Sequence, residues 1–473
     1  MITSVGMEVH AELLTKTKMF CRCANAFGGE VNTRVCPVCL GLPGTLPIIN
    51  RLAVELVLRT SLALNCKIAM KSFFHRKNYF YPDLPKGYQV SQYGETNPLG
   101  YHGWLDIPGE RINIARVHLE EDTGKLMHLP GGGSGVDLNR AGVPLMEIVT
   151  AFPPDIHSGE TAKEYLTFLR LTLIYLGVCD GKMEHGSMRC EPNISIAPEG
   201  SEKLGTKAEL KNLGSFRSVV LGIAHESERM KTALDAGQTL RQETRGWNET
   251  SEMSYPMRVK EMENDYRYFI DPDLPPMEFS EEYIESLRAG LPELPLHKRN
   301  RYMDTLGLSE YDAGLLISEP TWAEYFDRTI SLGVEPKLAC NWMNGEFARL
   351  LNETGLLAEN SKVTPEHIMD IVQLITAGDI NGKQAKEVFE KCFATGEMPS
   401  AIVQRDELSQ ISDNSVIHEL VVKVLTENPD AVQKFKDGKI NLKGFLIGQV
   451  MKESKGRANP ELVNEIISEK LKS

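Results

Sequence analysis

Residues 6–13 alternate strictly. Met7, Val9, Ala11 and Leu13 fall on one side of an extended chain and Glu8, His10 and Glu12 on the other, which predicts a strand with one buried face. A helical period takes over at Ser158, a predicted N-cap. Tyr165, Leu166, Leu169, Leu173 and Leu176 then share one face, and Gly177 ends the helix. Short alternating segments broken by Gly and Pro dominate up to about residue 290, and Ser280 opens a short helix running to about Arg288. Two prolines in Gly290-Leu-Pro-Glu-Leu-Pro-Leu mark a boundary. Beyond it helical patterning prevails: Thr364-Pro365-Glu366 and Asn459-Pro460-Glu461 each combine a cap, a first-turn proline and an acid. Strands and helices in irregular order predict an α+β fold, not repeating βαβ units. The predicted domains are 1–291 (mixed), 292–405 (helical) and 406–473 (a C-terminal tail).

The 473 residues suffice for about three domains, and 41% hydrophobic with 25% charged residues exclude wholesale disorder. The longest apolar stretch, Leu171 to Cys179, is too short to span a membrane, and the N-terminus lacks the basic and apolar regions of a secretory signal. A net charge of −13 argues against a generic nucleic-acid coat, but the charge is segregated. Between Lys434 and Arg457 seven cations (Lys434, Lys436, Lys439, Lys443, Lys452, Lys455 and Arg457) face only Asp437 and Glu453. That local excess of five leaves −18 on the remainder and gives the tail a surface suited to a phosphate backbone.

Nine cysteines do not resemble a secreted disulfide framework. Four of them, Cys21-Arg-Cys23 and Cys36-Pro-Val-Cys39, have the spacing of two knuckles that close on one zinc ion. Four thiolates leave no open coordination position, so a structural zinc is expected. The other five sit among apolar or helical neighbours as core residues.

Three further segments carry acids where a divalent cation could bind: Glu8, His10 and Glu12 on the first strand; Arg116, His118 and Glu120 on a second, running into Glu121 and Asp122; and Glu147 inside the apolar run Pro144–Thr150. Alternation alone places Glu120, not Glu121, beside His118. Taken alone, the first segment reads better as a solvated strand face. An ionised Glu147 in an apolar strand needs a partner or a wet face. Arg140 stands just upstream of that run, and the segments 183–191 and 207–212 bring Arg189 and Lys207 with mixed charges. No phosphate-binding G-x-x-x-x-G-K-[ST] loop and no G-x-S-x-G elbow occurs, and Gly131–Gly135 reads as a loop. Any ATP must therefore be held through divalent ions on carboxylates and through Arg or Lys. The run 73–89, with Arg76, Lys77, Tyr79 and Tyr81, combines stacking groups with phosphate binders.

Several segments, in order, resemble one family. Gly-Met-Glu8-Val-His10, Arg-Lys77-Asn-Tyr-Phe-Tyr-Pro-Asp, His118-Leu-Glu-Glu121-Asp-x-Gly-Lys, Val-Asp-Leu-Asn-Arg140, Pro-Leu-Met-Glu147-Ile-Val, Lys-Ala-Glu-Leu-Lys-Asn212, Asp-Tyr-Arg-Tyr-Phe269 and Gly-Phe-Leu-Ile-Gly-Gln449 look like the B subunits of aspartyl/glutamyl-tRNA amidotransferases, the GatB/GatE family. The resemblance spans essentially the whole chain. It implies a cytoplasmic, bacterial-type heterotrimer in which the A subunit is an amidase that releases ammonia from glutamine and the C subunit is a small stabilising partner. The B subunit binds misacylated Glu-tRNA(Gln) or Asp-tRNA(Asn) and phosphorylates the side-chain carboxylate with ATP, and ammonia displaces the phosphate. The resemblance also implies an antiparallel catalytic cradle resembling the glutamine synthetase fold, followed by helical and YqeY-like tail domains that bind tRNA.

Carried over to this chain, the magnesium ligands would be His10, Glu121 and Glu147, with Glu8 nearby and Glu120 as the alternative that alternation favours; a bulge at the strand end would be needed to bring Glu121 round. Arg140, Lys77 and Arg189 would act as phosphate clamps, and Arg76, Tyr79, Tyr81 and Lys207 would meet the nucleotide. The chain departs from the family at Thr150–Asp155, where Thr-Ala-Phe-Pro-Pro-Asp replaces Thr-Glu-Pro-Asp, at Glu191, where Asp is common, and at His185, where an acid is common. The archaeal-type GatE proteins carry an inserted domain for which there is no obvious room here. A zinc-stabilised tRNA-binding scaffold without chemistry of its own is the competing reading.

Overall fold

The computed structural model describes residues 1–201, 203–259, 263–408, 414–436, 439, 441–454 and 457–472. They fall into two compact units, Met1–Lys298 and Arg299–Ser473.

Among the described residues of the first unit, nine strands form one sheet: β1 Ile2–Glu12, β2 Lys67–Ile68, β3 Gly100–Ile107, β4 Glu110–Glu121, β5 Pro144–Thr150, β6 Met188–Ala197, β7 Ala208–Lys211, β8 Glu243–Asn248 and β9 Met253–Val259. Their spatial order is β9-β8-β7-β6-β1-β5-β4-β3-β2. Every neighbouring pair is antiparallel except β7 and β8. The alternation of β1 decides what each face does. Val5, Met7, Val9 and Ala11 are fully buried on one side. At about 1.5–3 kcal/mol per large aliphatic side chain, that face must be covered.

Three helices cover it: α1 Arg51–Ala63, α2 Gly159–Tyr175 and α3 Phe216–Asp235. The N-cap Ser158 accepts a hydrogen bond from the Thr161 N–H at 3.0 Å, and Tyr165, Leu166, Leu169 and Leu173 are fully buried. α3 approaches β7 so closely at Gly222 that a Cβ there would lie 2.5 Å from Leu210.

The other face is left as the floor of a cradle. A flap of three short strands, Phe269–Ile270, His75–Asn78 and Tyr88–Ser91 in that spatial order, carries further residues to the same cavity. Arg76 fastens the flap: it donates to Asp271 and Asp273 at 2.8 Å each and lies 4.3 Å from the Tyr88 ring centre.

The second unit is helical throughout its described regular elements. Its last four helices, Asn414–Glu427, Pro429–Lys436, Leu442–Glu453 and Pro460–Lys472, share a core that includes Ile417, Val421, Leu446, Val450, Val463 and Ile467. Residues 409–413, in the stretch where the sequence suggests a second boundary, lie outside the described residues. The large mixed sheet unit followed by helices is an α+β arrangement.

Candidate active site

Register builds the centre of the site. His10 on β1 stands opposite Glu147 on β5 and Arg189 on β6, and Glu147 in turn stands opposite His118 on β4. Four side chains thus form a row across four strands on the uncovered face. One step along the sheet, Glu120 completes the group. His10 Nε2 lies 3.5 Å from Glu147 and 3.7 Å from Glu120, and His118 Nε2 lies 3.1 Å from Glu147 and 3.6 Å from Glu120.

Ligand atoms of His10, Glu120 and Glu147 lie within 4.8 Å of one another, and the Nδ1 atoms of His10 and His118 are buried with no hydrogen-bond partner among the described residues. Burial opposes a charge on His10, but Glu147, with Glu191 and Glu120 behind it, pushes its pKa up to about 9. Burial likewise opposes charge on Glu147, and the two imidazoles nevertheless hold its carboxyl well below the usual range. Two carboxylates and an imidazole so arranged fit a divalent cation, which would take the place of the proton on His10.

A second group lies on the same face. Ligand atoms of Glu8, Glu191 and Glu209 also fall within 4.8 Å of one another. Asn193 donates to Glu8 at 3.0 Å, Thr244 to Glu209 at 2.8 Å, and Lys211 to Glu191 at 2.6 Å. Glu191 thus reaches Lys211 on the neighbouring strand. An all-carboxylate set of this kind suits a hard cation.

Both groups open into a cavity of about 850 Å³, with Lys77, Tyr79, Tyr81, Arg189, Lys211, Tyr266 and Tyr268 on its walls. Lys77 Nζ lies 4.9 Å from the Tyr266 ring centre. Burial disfavours its charge, but the hydroxyl of Tyr268 and the carboxylates of Glu120 and Glu147 raise its pKa above the ordinary lysine value. Arg189 donates to Asp122 at 2.9 Å.

Four expected site residues lie elsewhere. Glu121 is not on the His10–Glu147 face. The register from Glu121↔Pro144 to His118↔Glu147 is unbroken, and the irregularity in this pair of strands lies at Val149/Thr150, so no bulge turns the side chain round. Glu121 instead takes the ammonium of Lys86 and the Val90 N–H, the latter at 2.9 Å. Arg140 does not line the cavity; it donates to the carbonyls of Thr123 (3.0 Å) and Gly124 (2.8 Å) and faces Asp122 at 3.4 Å. Arg76 is spent on the flap. Lys207 is exposed just before β7 and does not line the cavity, whereas Lys211 on that strand does.

Lys211 and Glu209 were readable from the alternation of Ala-Glu-Leu-Lys, although four residues make a weak pattern. Tyr266 and Tyr268 belong to the family-like segment Asp-Tyr-Arg-Tyr-Phe269, but no local pattern places them in the cavity beside Lys77, which precedes them by 189 and 191 positions.

The cysteine cluster forms as its spacing predicts. The sulfurs of Cys21, Cys23, Cys36 and Cys39 lie within 4.8 Å of one another, with Cys36 and Cys39 3.9 Å apart. Bonds of about 2.3 Å around a tetrahedral zinc give sulfur–sulfur edges of about 3.8 Å, so the donor set fits that ion. The Cys21 thiol pulls the Cys39 pKa down to about 5 against its burial, with help from the Cys36 N–H and Lys18.

Of the tail cations, Lys434, Lys436, Lys439 and Lys452 are exposed and Lys443 and Arg457 are half-buried; Arg457 donates to the Glu407 carbonyl at 3.2 Å. Lys455 lies outside the described residues. No helix among the described residues is long and apolar enough to cross a membrane.

An acid-lined cradle followed by a helical tail bundle defines a recognisable class. Residues 3–285 match the family described as the GatB/GatE catalytic domain, and residues 324–471 match the GatB domain. The chain belongs to the GatB/GatE family. It is 49% identical to the B subunit of the aspartyl/glutamyl-tRNA(Asn/Gln) amidotransferase of Thermoanaerobacter pseudethanolicus over 99% of this chain and 98% of the relative. It is 50% identical to the protein of the same name from Persephonella marina over 99% of both chains, and 48% identical to that of Brevibacillus brevis over 100% of this chain and 99% of the relative.

Proposed function

We propose that this chain is the B subunit of a cytoplasmic tRNA-dependent amidotransferase, working with an amidase (the A subunit, a glutaminase) and a small C subunit. It would use ATP to activate the side-chain carboxylate of Glu on tRNA(Gln) or of Asp on tRNA(Asn). The observation that carries this reading is the convergence of His10, Glu120 and Glu147 on the floor of a cavity walled by Lys77, Arg189 and Lys211. With no P-loop in the chain, phosphates would be met by this combination of acid-held cations and basic side chains. A largely antiparallel sheet that offers its acidic face to such a cavity is the arrangement expected of a glutamine synthetase-like cradle.

The roles follow from position. His10, Glu120 and Glu147 would hold one magnesium ion, and Glu8, Glu191 and Glu209 a second. Bound there, the ions would supply positive charge to the phosphates of ATP. Lys77, Arg189 and Lys211 would orient phosphate oxygens and spread the charge that develops on the transferred group. Tyr79, Tyr81, Tyr266 and Tyr268 line the same cavity and would meet the base or the tRNA 3′ end.

A side-chain carboxylate oxygen of the tRNA-linked amino acid attacks the γ-phosphorus and ADP leaves. Ammonia, released from glutamine by the amidase, then attacks the acyl carbon, and inorganic phosphate departs with that oxygen. A carboxylate is a poor electrophile until it becomes this mixed anhydride, so the phosphorylation is the reason for the ATP. The knuckle at 21–39 would hold a structural zinc. Residues 292–405 would form a helical domain, and 406–473 a separate tail whose cations follow the tRNA backbone.

Replacing Glu147 by Gln in the assembled enzyme tests the reading, with tRNA affinity and amidated product both measured. Product should fall at least a hundredfold at unchanged tRNA affinity, a typical loss for one electrostatic group. Unchanged amidation would show that the chain is a tRNA-binding scaffold and overturn the assignment.

A further inference from the structure

The four-cysteine knuckle is stitched to the wall of the cavity by a continuous set of polar contacts. Lys18 is 1% exposed, and its ammonium lies 3.8 Å from Cys39 Sγ and 3.3 Å from the Leu138 carbonyl. A zinc ion held there on four thiolates would carry two net negative charges, which would match the buried ammonium of Lys18. Asn139, next in the chain after Leu138, accepts from the Arg34 N–H at 2.8 Å and donates to the Glu30 carbonyl at 2.7 Å, both in the loop between the cysteine pairs.

The following residue, Arg140, fixes the carbonyls of Thr123 and Gly124 and faces Asp122, and Asp122 holds Arg189 in the cavity wall. Gly142 completes the seam. Its carbonyl accepts from the Met19 N–H at 2.7 Å and its N–H donates to the Asp122 carbonyl at 2.9 Å, while a Cβ there would touch Cys39 at 3.5 Å.

We infer that the knuckle positions Arg189: Lys18, Asn139 and Arg140 transmit the geometry of the metal-bound cysteines to the Asp122–Arg189 pair, so that loss of zinc or of the Lys18 bridge loosens the phosphate-binding wall. Lys18, Asn139 and Arg140 are positioning residues, since none of them lines the cavity. The inference rests on the reading of that cavity as the ATP site.

The test uses the assembled enzyme and a non-hydrolysable ATP analogue with magnesium. Zinc is withdrawn from the wild type by a chelator, and separately Lys18→Met is prepared with zinc in place. Zinc content, analogue affinity and tRNA affinity are measured for each. Withdrawal of zinc should weaken the analogue about tenfold, the lower range for removing an outer-shell support, and leave tRNA affinity unchanged. Lys18→Met should weaken the analogue in the same direction and release zinc to the chelator faster. It carries the test alone if zinc withdrawal unfolds the chain.

An analogue affinity unmoved in a folded zinc-free enzyme, or in zinc-loaded Lys18→Met, overturns the inference while leaving the ATP site intact. Equal losses of analogue and tRNA affinity would mark a general structural role and also overturn it. Failure of the zinc-loaded wild type to bind the analogue removes the ATP-site reading and the inference with it.

Discussion

Glu147 and His118 face each other on adjacent antiparallel strands, and the imidazole Nε2 of His118 lies 3.1 Å from a Glu147 carboxylate oxygen. One carboxylate oxygen is thereby oriented toward His10 by a residue that register alone puts in place. Replacing His118 by Asn should leave the fold intact and weaken manganese binding, used as a spectroscopic substitute for magnesium, by about 10–100-fold. Electron paramagnetic resonance titration of the full complex measures it. An unchanged affinity would mean that His118 does not orient the ligand.

Glu120 and Glu121 are neighbours in sequence with opposite environments. Glu120→Gln should remove one manganese site and cut amidation at least a hundredfold. Glu121→Gln breaks the buried pair with Lys86 and should lower stability by about 3–5 kcal/mol while keeping the manganese site. Manganese stoichiometry and thermal unfolding of the two variants separate these outcomes.

This pair also shows how far the sequence could be read. Alternation along Arg116-Val-His-Leu-Glu places Glu120 with His118, and only a bulge would have reversed that; the ladder there is regular. The first strand, the helix capped by Ser158 and the four-cysteine knuckle follow from local pattern and spacing because the physics behind them is local. The flap is different. Arg76 meets Asp271, 195 positions away, and the tyrosines that reach Lys77 come from the same distant segment. No periodicity encodes such pairings, so Arg76 is easily taken for a nucleotide contact when it is a fastener. Arg140 misleads for a related reason: a cation near an acidic motif says nothing about whether it faces the cavity or the loop carbonyls behind it.

Glu226 is fully buried on α3. Arg229 donates to it at 2.8 Å, Arg245 donates at 3.1 Å, and the Ser254 hydroxyl donates as well. Burial raises its pKa, but these donors outweigh it and lower the folded-state value. A depressed carboxyl pKa contributes stability that is present above the unfolded value of about 4.3 and is lost as pH falls through the folded value. Glu226→Gln should therefore be less stable near neutrality and should show a shallower loss of stability in acid. Urea unfolding across pH 3–7 checks both; parallel curves for the two proteins would refute the assignment.

The tail cations carry a salt signature. Replacing Lys434, Lys436 and Lys452 by Gln should weaken tRNA binding and flatten the dependence of log Kd on log salt by about 0.7–0.9 per lost phosphate contact. A uniform loss with an unchanged slope would place the phosphate contacts elsewhere.

Whether the cradle phosphorylates the carboxylate of a tRNA-linked amino acid is decided directly by one isotope experiment. Misacylated tRNA carrying oxygen-18 in the side-chain carboxylate is converted by the complete enzyme with ATP and glutamine, and the inorganic phosphate is examined by mass spectrometry. One labelled oxygen should appear in the phosphate for every amide formed, and Glu147→Gln should abolish label transfer and product together. Amide formed with unlabelled phosphate would contradict phosphorylation of the carboxylate.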